Sequence, residues 1–136
     1  MGQNLKTVES FYAAVGRGDI PHIIGALHPD LNWQEAEGSV YADKNPYIGA
    51  DAVLTGLFAR LGGEWDGFSA VPAEFVDGGE TVVALGRYRG TYKATGVKLD
   101  AQFVHVFRFK DGKVASFQQY TDTAQFQDAV SRRAKA

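Results

Sequence analysis

Two side chains carry the first chemical suggestion in this chain, His105 and Glu35. His105 lies in FVHVFRF, where Phe103, His105, Phe107 and Phe109 fall on one face of a strand. An imidazole in such a row is either a satisfied core residue or the polar tool of an aromatic pocket wall. Glu35 lies in LNWQEAEG, where Leu31, Trp33 and Glu35 alternate with Asn32, Gln34 and Ala36. In phase with Trp33, its carboxylate would lose water against an aromatic wall, and desolvation would raise its pKa to a useful value. Glu37 stands in the same segment, and a register change of one residue would move Glu35 to the rim. Both placements are compatible with the sequence. Turned inward, the pair suits one reaction type: a base removes a proton next to a carbonyl, and donors in a dry pocket hold the enolate oxygen. Glu35 would be the base. Neutral His105 would donate from one ring nitrogen, or exchange the proton itself, since a free imidazole titrates at about pH 6.5.

Gln119 shares phase with Phe117 and faces the same interior. Its amide could contact a ligand or hold His105. Asp122 with Gln125 reads as a helix cap rather than an acid. Aromatic candidates for a lining are Trp33, Tyr41, Tyr47, Phe58, Trp65, Tyr88, Tyr92, Phe103 and Phe107, and the central helix adds Leu57. Core packing explains any one of them, but their number suggests a cavity for a hydrophobic ring-bearing ligand. Arg108 alternates away from His105, toward solvent or a subunit interface. His22, His28 and His105 are too scattered for a metal motif. Gly62-Gly63 and Gly78-Gly79 read as a helix end and a turn, not as a phosphate loop. The expected chemistry needs neither metal nor cofactor.

Bulk properties narrow the classes. A chain of 136 residues suits one domain, 1–136, around one core. With 45% hydrophobic and 22% charged residues it has a globular composition. The net charge of -2 and the lack of a basic run give no footprint for nucleic acid. Absence of cysteine excludes disulfides and thiol catalysis and fits a reducing compartment. No apolar run reaches membrane-spanning length, and the N-terminus lacks a signal-peptide pattern. A cytoplasmic protein is expected.

The elements that must position these groups follow from periodicity. NLKTVESFYAAVGRGD has Leu5, Val8, Phe11, Tyr12 and Val15 at helical spacing, with Asn4 as a possible cap and Gly16 or Gly18 at its end. Asp19 can cap a short second helix, IPHIIGAL, with HPD as its stop. LNWQEAEG reads as a strand, and SVYADKNPY as a short strand and loop. GADAVLTGLFARLGG is an amphipathic helix striped by Val53, Leu54, Leu57, Phe58 and Leu61. Strands then follow in hairpins: FSAVPAEFV, TVVALGRYRGTY, LDAQFVHVFRF and VASFQQYT, joined by DGGE, KATGVK and KDGK. TDTAQFQDAVSRRAKA closes as a helix fraying at its basic end. Helices first and hairpins later argue for α+β, with helices packed on one face of a curved antiparallel sheet. Gly86, Gly90 and Gly96 in strand territory suit the bends that curve it. A curved sheet closed by helices is a cone with a blind apolar cavity.

VESFYAAVGRGDIPHIIGALHPD, YIGADAV and HVFRFKDGKV together resemble the NTF2-like superfamily, and within it the SnoaL-like polyketide cyclase and ketosteroid isomerase branch. The resemblance runs from about Leu5 to about Val130. It implies an NTF2-like (cystatin-like) cone, a curved mixed or antiparallel sheet wrapped around the N-terminal and central helices. It also implies cofactor-free isomerase or cyclase chemistry, or simple binding, since this fold hosts both. By position it puts Glu35 at the isomerases' base and His105 at their enolate donor. It puts Phe11, a residue that cannot donate, where they carry a tyrosine, with Tyr12 beside it. Against the cyclases it matches His105 but offers Gln119 in place of an acid. Against limonene-type epoxide hydrolases, Arg87 and Arg89 lie in the region of the Asp-Arg-Asp set, but no two aspartates have a matching placement. A homodimer through the outer sheet face is the superfamily's common assembly. The resemblance implies that Glu35 and His105 converge in one cavity.

Overall fold

The computed structural model describes residues 2–132. Helix α1, Gln3–Arg17, buries Val8, Phe11, Tyr12 and Ala14 along one side. It stops at Gly18, whose backbone takes the left-handed conformation (φ 69°) that glycine tolerates best. Asn4 is not its cap. The helix begins one residue before Asn4, and the Asn4 amide instead donates to the Gly79 carbonyl, tying α1 to the tip of a distant hairpin. Helix α2, Ile20–Ala26, is capped by Asp19, whose carboxylate accepts from the His22 N–H. No stop separates it from the first strand. HPD is already part of β1, Leu27–Gln34.

A turn of 3₁₀-helix, Ala42–Lys44, leads to the short strand β2, Tyr47–Ile48. The amphipathic segment after it is one continuous helical run in three parts. Helix α3 is Ala50–Val53, a π-helical turn spans Leu54–Phe58, and α4 is Ala59–Glu64. π turns of this kind recur at functional sites, and this one carries Leu57 and Phe58. Four long or medium strands follow: β3 (Trp65–Asp77), β4 (Thr81–Tyr92), β5 (Lys98–Lys110) and β6 (Lys113–Thr121). Helix α5, Thr123–Ser131, ends the described chain. The expected fraying beyond it falls on residues 133–136, outside the described residues. Asp122 sits at its N-cap position, but its carboxylate accepts from the Gln125 side chain and not from a backbone N–H.

The six strands form one mixed sheet in the order β2-β1-β6-β5-β4-β3. Only β1 against β6 is parallel, and the other neighbours are antiparallel. The fold is the α+β architecture expected from the sequence, with a curved sheet and helices covering its inner face. Its bends have local causes. The β3–β4 register shifts between Pro72 and Glu74, opposite Gly86. A side chain at Gly86 would place its Cβ 2.2 Å from the Val71 carbonyl oxygen and 2.6 Å from the Phe103 ring. A second shift, between Asp66 and Ser69, lies near Gly90. Gly96 is not in a strand; it occupies the β4–β5 turn with φ 73°.

Alternation sorts the faces. Inward residues of β4 to β6 include Val82, Ala84, Tyr88, Phe103, His105, Phe107 and Phe117, all buried. Cross-strand pairing lines up Ala84, His105 and Gln119. Val83, Leu85, Arg87, Val104, Val106 and Arg108 have the opposite phase. Among the described residues no helix is long and apolar enough to cross a membrane.

Candidate functional site

Among the described residues, three polar or charged side chains are buried: Glu35, His105 and Gln119, each 4% exposed. They come from the residue just after β1, the middle of β5 and the middle of β6. Strand register brings them together. His105 pairs directly with Gln119 across β5 and β6. Parallel pairing sets Trp33 beside Phe117 and Gln34 beside Gln118, so the next residue, Glu35, arrives beside Gln119. The Ala36 N–H then donates to Gln119 Oε1 at 3.0 Å. That bond fixes the amide orientation and turns Gln119 Nε2 toward the Tyr88 hydroxyl, 2.8 Å away.

Glu35 is held by the Trp33 indole, whose Nε1–H donates to Oε2 at 3.0 Å. Its backbone N–H and carbonyl are both taken by the Asn45 side chain. Burial raises its pKa to about 7, and the Trp33 hydrogen bond, the Arg60 charge and the Gln119 amide only partly offset this. The carboxyl is therefore poised to gain or lose a proton near neutrality. His105 moves the other way. Burial alone lowers its pKa to about 3, so the ring is neutral across the physiological range.

Two phenols hold that neutral ring. Tyr12 Oη lies 2.5 Å from Nδ1, and Tyr88 Oη contacts Nε2. The imidazole also stacks on Phe103 at 4.0 Å between ring centroids, with 11° between planes. Tyr12, His105 and Tyr88 together own three exchangeable protons, one on each phenol and one on the neutral ring. Only two hydrogen bonds join the three groups. One proton is left over and must be donated elsewhere. Tyr88 already accepts from Gln119, which favours Tyr88 donating to Nε2 and His105 donating from Nδ1 to Tyr12. The surplus proton is then on the Tyr12 phenol. Burial raises the pKa of both phenols, so both stay protonated.

These groups face one cavity of about 880 Å³. Its wall includes Phe11, Trp33, Tyr41, Leu57, Phe58, Trp65 and Phe117, with Glu35, Tyr12, Tyr88, His105 and Gln119 as its inner polar residues. Trp33 stacks flat on Phe117 with ring centroids 3.6 Å apart. The size suits a ligand of one to a few rings.

Three expected lining residues stand behind the wall. Tyr47 packs its ring under Gly56, and its hydroxyl bonds the Tyr41 carbonyl and Arg60. Phe103 backs His105 and Tyr88. Phe107 packs against Phe11, Tyr12 and Phe117. All three are buried supports. Tyr92 also lies off the wall, edge-on to Trp65. The helical tyrosine needs a correction of one position. The resemblance put it at Phe11, but Phe11 contacts Trp33 and Phe107, and the phenol reaching the histidine belongs to Tyr12. The helical stripe contained both residues, and only packing separates their roles. Arg87 and Arg89 form no epoxide-hydrolase set; both reach Asp100, and all three side chains are exposed. Among the described residues no three His, Asp or Glu side chains gather where they could hold a metal.

Comparison with known proteins agrees with this architecture. The SnoaL-like domain family matches residues 8–117. An NTF2-like protein of Burkholderia thailandensis is 35% identical, with a TM-score of 0.90 over 96% of this chain and 99% of that one. An NTF2-like protein of unknown function from Burkholderia pseudomallei is 32% identical, with a TM-score of 0.86 over 96% and 99%. TerC, co-crystallised with polyporic acid, is 26% identical, with a TM-score of 0.83 over 94% and 98%. None of the curated proteins gives a significant match. A matched span covering most of the chain, together with the shared cone, places this protein in the SnoaL-like domain family of the NTF2-like superfamily.

Proposed function

We propose that this protein catalyses proton transfer at a carbon next to a carbonyl, on a small ring-bearing substrate and without a cofactor. The observation that carries this reading is the division of labour in one aromatic cavity. A buried carboxyl titrating at about 7 offers a base, and a neutral network offers one unspent hydrogen-bond donor. Ionised Glu35 would take the α-proton. The oxygen of the resulting enolate would accept from the Tyr12 phenol, with His105 and Tyr88 holding that phenol in place. Preorganised donors in a dry site stabilise such an oxyanion without reorganising. His105 is then a positioning residue rather than the proton carrier, because its ring does not ionise near neutrality.

Solvent exchange of α-protons tests this before any full substrate is known. Cyclic ketones such as 2-tetralone, incubated in D2O with the protein, should gain deuterium at the α-carbon faster than in buffer. Glu35→Gln should abolish the gain. Exchange that matches buffer, or that survives Glu35→Gln, would sink the proposal.

The second reading is a non-catalytic binder of a hydrophobic small molecule. Gln119, which cannot exchange protons at useful pKa, stands where the cyclases carry an acid, and this favours it. The co-crystal of TerC with polyporic acid supports small-molecule binding in this fold. Ligand binding with no exchange on any ketone would select this reading. We also propose a homodimer through the outer sheet face. Two cross-strand rows there, Val76–Val83–Val106 and Leu85–Val104–Tyr120, are apolar, and Val76 and Tyr120 are 49% and 57% exposed.

A further inference from the structure

We propose that the cavity selects its ligands by charge, admitting uncharged and ammonium-bearing ring compounds and refusing carboxylates and phosphates. Among the described residues, none that lines the cavity is lysine or arginine. The lining carboxyls are Glu35, which is buried, and Glu9, which is exposed. The cation whose charge acts on Glu35 is already committed. Arg60 bonds both Asp43 oxygens at 3.0 and 2.9 Å and the Tyr47 hydroxyl at 2.7 Å, and it is not part of the wall.

No other group supplies a countercharge to an anion. His105 stays neutral, with both ring nitrogens engaged by phenols. The Glu35 and Ala36 backbone N–H groups are spent on Asn45 and Gln119. An anionic ligand would therefore meet one phenol donor but no countercharge, in an apolar space beside a carboxylate. A cation meets the reverse. It would pair with ionised Glu35 and face the rings of Trp33 and Phe58, which meet edge to face at 5.8 Å. An uncharged carbonyl compound needs only the surplus donor.

This inference rests on Glu35 being the ionised base of the proposed reaction, but it can fail separately. The test is isothermal titration at pH 8 with three probes of one shape: 2-tetralone, 2-aminotetralin and tetralin-2-carboxylate. The amine should bind at least 10-fold tighter than the carboxylate, with the ketone between them. Glu35→Gln should remove the amine's advantage over the ketone. A carboxylate that binds as tightly as the amine overturns charge selection, and so does an amine that fails to bind at millimolar concentration. Charge selection without α-proton exchange sinks the catalytic reading alone. Exchange with equal affinity for all three probes sinks charge selection alone.

Discussion

The Tyr12 phenol meets Nδ1 of His105 at 2.5 Å, although 93 positions separate the two residues in the chain. Their rings are parallel to within 4°. The contact joins the first helix to the middle of the sheet and engages the ring nitrogen that Tyr88 leaves free. It also makes Tyr12, and not Phe11, the residue whose loss should be felt. Tyr12→Phe should slow α-proton exchange roughly 100-fold, the scale for removing one oxyanion donor. Its stability should fall by about 1–3 kcal/mol, because the buried Nδ1–H of His105 loses its acceptor. Adding Phe11→Tyr should not restore exchange, because that side chain packs on Trp33 and Phe107. Rescue by the double substitution would show that the phenol's place is not specific.

Glu35 links stability to pH. Its carboxyl is raised from 4.5 to about 7 on folding, so the folded state holds the proton more tightly than the unfolded chain. Above the folded value, ionisation costs the folded state its full penalty; below 4.5 there is none. Stability therefore falls as pH rises through this window, by about 3 kcal/mol at most. Glu35→Gln lacks this term. Urea unfolding at pH 5 and pH 8 should show the variant gaining on the wild type at the higher pH. A gap independent of pH contradicts the burial of an ionisable Glu35.

His105 gives the opposite slope. Its pKa falls from 6.5 to about 3 on folding, so the unfolded chain takes up a proton first. Stability is retained above the unfolded value and lost as pH drops below it. Between about pH 6.5 and 5 this amounts to about 2 kcal/mol. His105→Gln keeps a hydrogen-bonding side chain but cannot titrate. The stability difference between the two proteins should shrink or reverse as the solution is acidified across this range. Chemical-shift titration of the His105 ring provides a direct check; a midpoint near 6.5 would contradict the closed environment.

At Gly86 the paired backbone of β3 leaves no room for a side chain on β4. Gly86→Ala would force its methyl against the Val71 carbonyl and the Phe103 ring. A loss of about 3 kcal/mol is expected, the upper range for overpacking a tight site. Phe103 backs His105, so the same substitution should also disturb the imidazole resonance. A neutral result by denaturant titration would mean that the bend relaxes without cost.

The outer face predicts assembly. Val104 lies centrally in its row, paired with Leu85 on one side and Tyr120 on the other. Val104→Lys should shift the protein from dimer to monomer in size-exclusion chromatography with light scattering. A wild-type protein that is monomeric at micromolar concentration removes this assembly from consideration.

Periodicity alone located most elements. The stripe of Val8, Phe11, Tyr12 and Val15 marked the first helix, and the alternation around His105 marked β5 and its buried face. These signals are local, so a linear reading can extract them. Glu35 was different, because a strand's period of two makes inward and outward placement one residue apart. The decision came from the parallel β1–β6 register, a contact across more than half the chain. The choice between Phe11 and Tyr12 was likewise undecidable from the stripe, since both face the core and only the position of His105 tells them apart. The long-range pairing also moved Tyr47, Phe103 and Phe107 behind the wall that their aromatic character suggested. Local pattern was enough for the helices, most strands, the inward phase of His105 and the family. Tertiary structure alone decided the burial of Glu35, the tyrosine partners of His105 and the pKa of each, because desolvation and hydrogen bonding depend on neighbours that the chain brings from far away.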